Sequence, residues 1–291
     1  MTTLQRGKIK LLQYWGFIGI HFLPFLAIFT GAFAFDWYLA LALYLIRMFF
    51  ITAGYHRYFS HRTFKTSRVF QFILAFMAQT SMQKGALWWA ANHRIHHKHS
   101  DTPADPHSAK LFGFWYAHVG WIVGPDFKET RYDLIKDMAK YPELVWLNKY
   151  HWIPAASLMV FCLFLGNYVN GAGILDFQAG VSTLLIGFFL STAVLYHGTF
   201  TINSLMHEIG YSRYKTTDES KNSVILALIT LGEGWHNNHH YYQSTARQGF
   251  YWWEIDIAYY IIRLLGLFRI VWDIREVPKH VKDGNHLKNA A

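Results

Sequence analysis

A chain of 291 residues that is 53% hydrophobic and 19% aromatic but only 15% charged is too apolar for an ordinary water-soluble domain. Its formal charge of +9 suits anionic lipid head groups or an acidic electron donor, and the aromatic richness argues for membrane lipid and against nucleic acid. The single cysteine, Cys162, lies in an apolar run; this excludes a disulfide framework and a thiolate metal site, so any metal must be held by nitrogen or oxygen.

No Pro/Ser-rich linker interrupts the chain, and one membrane-embedded domain is expected over residues 1–291. Arg6, Lys8 and Lys10 precede the first apolar stretch as in a signal peptide, but that stretch contains His21 and Pro24 and shows no small-residue cleavage site, so it reads as a retained span. Crossing the hydrocarbon core takes roughly 20 mostly apolar residues in a helix. Four segments qualify, running from Tyr14 to Phe35, Trp37 to Tyr55, Trp152 to Tyr168 and Gly180 to Phe200.

They form two hairpins. The turn near Asp36 and the stretch from Gly166 to Gly180 carry no Lys or Arg, whereas the N-terminal tail, the region from Arg57 to Lys149 and the region from Arg213 onward are rich in both. The positive-inside rule therefore places both termini and the middle region in the cytoplasm. The expected fold is all-α: four transmembrane helices under a cytoplasmic helical cap, with interfacial amphipathic helices. Val69 to Trp89 and Ser223 to Leu231 are apolar but run at once into histidine clusters, so each predicts a buried or interfacial helix. Tyr251 to Phe268 mixes Trp252, Trp253 and Tyr259 with Glu254, Asp256 and Arg263, the pattern of a helix lying in the interface.

Of 17 histidines, eight fall in three groups: His56 and His61 in HRYFSH, His93, His96 and His97 in HRIHH, and His236, His239 and His240 in HNNHH. The i, i+3, i+4 spacing of the second and third groups puts three imidazoles on one helix face, where they can converge on a common centre. The first pair, five apart, diverges by about 140° on a regular helix. His56 and His61 are thus expected to straddle the end of the second span or to serve different metals. Asn203 and His207, four apart, add a further face and bring the candidate histidines to nine.

A solitary histidine is more often structural than ligating, and His21, His118, His151, His197, His280 and His286 are read that way. His99 and His107, which flank the second group, are divided between the two readings. The clusters resist that explanation, because crowded imidazoles repel on protonation unless metal or hydrogen bonds hold them. Nine nitrogen ligands exceed what one tetrahedral zinc needs. Imidazole alone does not select iron over copper, nickel or zinc, but unactivated hydrocarbon offers a Lewis acid nothing to polarise, which favours a redox metal used with oxygen.

HRYFSH, HRIHH and EGWHNNHH, in this order around two hydrophobic hairpins, resemble the three histidine boxes of the membrane fatty acid desaturases, in particular the stearoyl-CoA desaturase branch. The similarity runs from Ala53 to Tyr241 and includes ADPH at Ala104 to His107, HVGW at His118 to Trp121 and NSLMH at Asn203 to His207. It implies a centre of two iron ions held by His56, His61, His93, His96, His97, His207, His236, His239 and His240, with Asn203 acting through water. It implies O2-dependent removal of hydrogen from two neighbouring methylenes of a long acyl chain, leaving a cis double bond. Gln83, Trp89 and Thr199 match the residues that mark the bend of the family's acyl tunnel, which implies the Δ9 position. Glu233, just before the third box, either orients a ligand histidine from behind or serves as a capping charge.

The chain departs from the animal members of that branch in the groups that contact CoA: it has Ala91-Asn92 before the second box and Lys110-Leu111 after ADPH. The acyl carrier is therefore open between CoA, a lipid and acyl carrier protein. No HPGG-type cytochrome b5 motif occurs, so the expected electron donor is a separate protein: cytochrome b5, ferredoxin or similar. Lys215, Lys221, Arg247 and Arg263 either form its docking surface or are simply solvated. The competing functions are a histidine-box hydroxylase or ketolase, which shares the oxidant, and a non-catalytic membrane metal carrier, whose ligands would sit near the bilayer midplane.

Overall fold

A computed structural model of the chain describes residues 14–171 and 176–284. The basic residues Arg6, Lys8 and Lys10, and His286, lie outside these. The fold is mostly helical, and its principal helices are α1 (Trp15–Thr30), α2 (Ala34–Ser60), α3 (Arg68–Gln79), α4 (Ala86–His99), α5 (Ile153–Asn170), α6 (Phe177–His207), α7 (His236–Tyr241) and α8 (Ile257–Leu267). One small antiparallel ribbon pairs Lys65 with Trp272 and Thr66 with Val271.

Among the described residues three helices, α2, α5 and α6, are long and apolar enough to cross a membrane. Four spans were expected, and the first comes out short. α1 tightens to a 3₁₀ winding over Leu23–Leu26, where Pro24 withholds an amide proton, and it stops at Gly31, whose φ of 79° favours glycine. The second expected span is longer than its apolar pattern suggested, since α2 continues past Tyr55 to Ser60 and carries His56. Large apolar side chains stand exposed on α1, α2 and α5, among them Ile28, Phe29, Tyr38, Phe161 and Tyr168, a face suited to lipid rather than water.

At one end of the bundle, Asp36 ties these helices together. Its buried carboxylate accepts from Phe33 N (3.0 Å), Asn170 Nδ2 (2.9 Å), Ser182 Oγ (2.7 Å) and Thr183 Oγ1 (2.5 Å). α3 is only 12 residues long, capped by Ser67 Oγ, and so too short to cross. The main core packs Met48, Ile51, Tyr55 and Phe59 of α2 against Leu74 and Ala78 of α3 and Leu87 and Ala91 of α4. Val224–Ile229 forms a one-and-a-half-turn helix and α8 follows the exposed Trp252 and Trp253.

Candidate metal centre

Each histidine box is aimed by local structure that its own sequence provides. The last eleven residues of α2, Phe50–Ser60, are wound as a π-helix, with His61 N donating to His56 O at 3.2 Å. Bonding from i to i+5 stacks residues five apart almost above one another. Of the two expectations drawn from a regular helix, one holds and one does not: His56 and His61 straddle the end of α2, His61 standing just past Ser60, but they do not diverge to different centres and instead meet, with ring centroids 4.8 Å apart.

The second box rides on α4, whose first turn is capped from outside: Asn148 Oδ1 accepts from Leu87 N (3.1 Å) and Trp88 N (2.9 Å). A Cβ at Gly85 would lie 2.0 Å from that oxygen, so only glycine admits the cap. The third box is held by the two asparagines between its histidines. Asn237 Oδ1 accepts from Arg213 N and Tyr214 N, both at 2.8 Å, and Asn238 donates to Gln248 O (3.0 Å) and Glu254 Oε2 (2.9 Å). With both asparagines buried and fully engaged, the histidines of α7 face the opposite way.

Among the described residues the result is two all-histidine clusters, with His96, Asp105 and His107 forming a further group close enough to share an ion. His56, His61, His93, His97 and His239 form one; His96, His207, His236 and His240 form the other; in each, one nitrogen per ring lies within 4.8 Å of all the rest. Nε2 atoms approach to 2.9 Å in the pairs His56–His239, His61–His93 and His97–His239, and to 3.2 Å in His207–His236. For metal–nitrogen bonds of about 2.1 Å, ligands at right angles stand about 3 Å apart, so this spacing fits rings that share an ion.

Carboxylates fix which nitrogen carries the proton. His96 Nδ1 donates to Asp105 Oδ1 at 2.9 Å, His240 Nδ1 to Asp218 Oδ2 at 2.6 Å, and His56 Nδ1 to Glu233. The lone pair is then left on Nε2. The buried Nε2 atoms of His96 and His240 have no hydrogen-bond partner among the described residues, as expected of atoms meant for a metal. Glu233 is itself gripped by Arg57, whose Nε and Nη2 lie 3.2 Å from Oε1, and Arg57 also pairs with Asp256 at 2.9 Å. Glu233 stands outside α7, which begins at His236, so the capping alternative has no helix start to act on.

The electrostatics favour neutral imidazoles. Burial, reinforced by neighbouring histidines, pushes His61, His93, His97, His236 and His239 well below the ordinary range. His96 moves the other way, because Asp105 and further carboxylates outweigh its burial. Asp105 and Asp218 resist the upward push of burial and are held well below the usual carboxylate range by His96 and His240. A metal bound here would compete with protons for the same nitrogens.

The cavity beside the clusters measures about 220 Å³ and includes His56, His93, His96 and His236 in its wall. Asn203 lines it too. Gln83, Trp89 and Thr199 all reach the same space; Gln83 Nε2 donates to Thr199 Oγ1 at 3.0 Å, and Trp89 stacks on His93 with centroids 4.8 Å apart. His107 sits against His96, its amide donating to Asp105 at 3.1 Å, while His99 belongs to neither cluster. His21, His197, His118 and Ser204 form a separate hydrogen-bonded row, and His151 and His280 also stand outside the clusters. Of the basic residues weighed as a docking surface, Arg263 pairs with Glu276, Arg247 donates to the backbone of Tyr251 and Lys221 approaches Glu219.

Sequence reasoning missed Asp105 and Asp218. Asp105 carried a signal, as part of ADPH; Asp218 carried none, being a loop residue whose approach to His240 only the folded chain reveals.

Comparison with known proteins follows the same line. The fatty acid desaturase family model matches residues 34–268. The chain is 34% identical to an sn-1 stearoyl-lipid 9-desaturase of Anabaena variabilis, covering 79% of each chain. It is 33% identical to an acyl-CoA 5-desaturase of Anemone leveillei, over 90% of this chain and 78% of the relative. It is also 32% identical to a hex-5-enoyl-[acyl-carrier protein] acetylenase of Moorena producens, over 94% and 89%. With histidine clusters able to hold metal, helices apolar enough to cross a membrane and these relatives along most of its length, the chain belongs to the fatty acid desaturase family of oxidoreductases.

Proposed function

We propose that the protein is an O2-dependent diiron desaturase that places a cis double bond at Δ9 of a saturated long-chain acyl thioester, acyl-CoA being the favoured carrier. The observation that carries this reading is the pair of histidine clusters, five and four rings, beside a cavity whose wall holds the Gln83–Thr199 hydrogen bond. His56, His61, His93, His97 and His239 would hold one iron; His96, His207, His236 and His240 would hold the other, with Asn203 acting through water. Bound there, iron would supply the activation of O2 and the removal of two hydrogens, with two electrons drawn from a separate donor protein such as cytochrome b5 or ferredoxin.

The chain's own residues do the positioning. Glu233, Asp105 and Asp218 keep protons on Nδ1 of His56, His96 and His240 and so hold each Nε2 ready as a ligand. Gln83 and Thr199 fix the bend of the acyl chain, and Trp89 closes the wall between that bend and His93. Neighbouring methylenes are almost equally reactive, so placement alone selects the bond. In the membrane, α1 and α2 form one hairpin and α5 and α6 the other, with the termini and the clusters on the cytoplasmic side; α8 and Trp252 lie in the interface.

Metal content tests the centre. Protein purified from iron-supplemented cells should hold two irons per chain by mass spectrometry, and His97→Ala or His240→Ala should each hold about one. A single zinc per chain, unchanged by either substitution, would overturn the reading.

A further inference from the structure

The turn between α3 and α4 is strained on both sides of Gln83. Met82 and Lys84 take up left-handed backbone, with φ of 59° and 61°, a conformation that residues bearing a side chain adopt at a cost. Glycine would adopt it freely, so the turn as built needs support from outside. Two tyrosines supply it: Tyr196 donates to Met82 O at 3.0 Å and Tyr55 to Lys84 O at 2.7 Å. Both tyrosines are buried.

The two supports come from helices that carry cluster histidines. Tyr55 stands on α2 immediately before His56, and Tyr196 stands on α6 one turn before Thr199, which accepts from the Gln83 amide at 3.0 Å. The Tyr55 ring also packs on Trp89, with centroids 5.5 Å apart, and Trp89 in turn stacks on His93. Tyr196 lines the cavity and stacks on Phe200 at 5.3 Å. Gln83 is therefore referenced from one side to the first histidine box and from the other to the helix that ends in His207. A misplacement of about 1 Å can cost about 100-fold in the rate of a positioned reaction. Successive methylenes are separated by little more than that, so a turn free to relax would blur the choice between them.

Resting on the acyl-chain reading above, we infer that Tyr55 and Tyr196 are positioning residues for the reaction: their hydroxyls hold the turn that carries Gln83 in its left-handed form and so set which methylene of a long acyl chain faces the histidine clusters. Each acts through a main-chain carbonyl of the turn.

Binding without turnover, read beside product position, tests the inference on the full chain in nanodiscs. Tyr55→Phe and Tyr196→Phe delete only the hydroxyls and keep the ring contacts. The probes are cis-Δ7, cis-Δ9 and cis-Δ11 octadecenoic acids, which share head and length, partition alike into lipid and differ in where the chain bends. The parent should favour one isomer by about tenfold, and each Phe variant should lose most of that preference. In turnover the same variants should spread the double bond over neighbouring carbons. Adding Lys84→Gly to Tyr55→Phe should restore the preference, because glycine keeps the left-handed form unaided, whereas adding Lys84→Ala should not. A merely structural role would lower Tm in the Phe variants and leave the preference intact. That outcome, the absence of any preference in the parent, or equal behaviour of the Gly and Ala variants overturns the inference. A preference lost in the Phe variants and regained with glycine, but with no desaturation given a competent donor, would retain the positioning role and refute the desaturase reading.

Discussion

Replacing Asp218 by asparagine should disable one cluster and spare the other. Asp218 Oδ2 accepts from His240 Nδ1 at 2.6 Å, and its other oxygen accepts from Ser220 N at 3.0 Å. Asparagine has a single carbonyl oxygen. If that oxygen keeps the Ser220 bond, the amide NH2 faces His240 and drives its proton to Nε2, the nitrogen required for metal. If the side chain flips, the Ser220 amide loses its acceptor. Losing a carboxylate behind a ligand histidine costs about 10–100-fold in metal affinity, or about 1.4–2.7 kcal/mol. A chelator titration followed by metal analysis reads this directly: at intermediate chelator, Asp218→Asn should retain about one metal per chain where the parent protein retains two. Simultaneous loss of both metals, or a titration identical to that of the parent, would refute the account of how carboxylates set the histidine tautomers.

The same logic makes Glu233→Gln the mirror case. It should empty the five-histidine cluster first, and it should also lower Tm, since Arg57 would lose one of its two buried carboxylate partners at a cost of about 3 kcal/mol. Metal-free protein should weaken as pH falls. His61, His93, His97, His236 and His239 have folded-state values below the ordinary 6.5, so the unfolded chain binds more protons and the stability present above pH 6.5 drains away below it. Each such histidine can contribute up to about 1.4 kcal/mol per pH unit. Thermal unfolding of the metal-free protein between pH 7 and pH 5 should show the loss and metal-loaded protein should resist it; a flat profile would mean the rings are not held neutral. Finally, Thr199→Val removes the acceptor of the buried Gln83 amide, leaving it unsatisfied at a cost of about 1–3 kcal/mol. Double-bond positions in the product should spread over neighbouring carbons, and a product that stays a single isomer would exclude this pair from setting the bend.

Much of the clustering could be read from the chain because histidines repeated at helical spacing leave a strong pattern. The spacings within HRIHH and HNNHH put their histidines on one face, and the folded chain brings all nine together. The first box was legible only in part: its histidines do straddle the helix end, but their meeting at one cluster depends on the π winding of Phe50–Ser60, which is absent from any count at 3.6 residues per turn. Helix length was misread where single residues decide it: Gly31 ends α1, while α2 stays helical through polar residues because Arg57 and His56 find buried partners. What stayed hidden was long-range. Asp218 and Asn148 each act on a partner that sequence alone gives no reason to place beside them.

The most direct measurement is the fatty acid profile of a desaturase-deficient host expressing the chain with a competent donor, double-bond positions being fixed by derivatisation and mass spectrometry. The account predicts a new cis-Δ9 monounsaturated acid that disappears in His236→Ala. Hydroxylated acids in its place, or an unchanged profile with the protein present in the membrane, would contradict it.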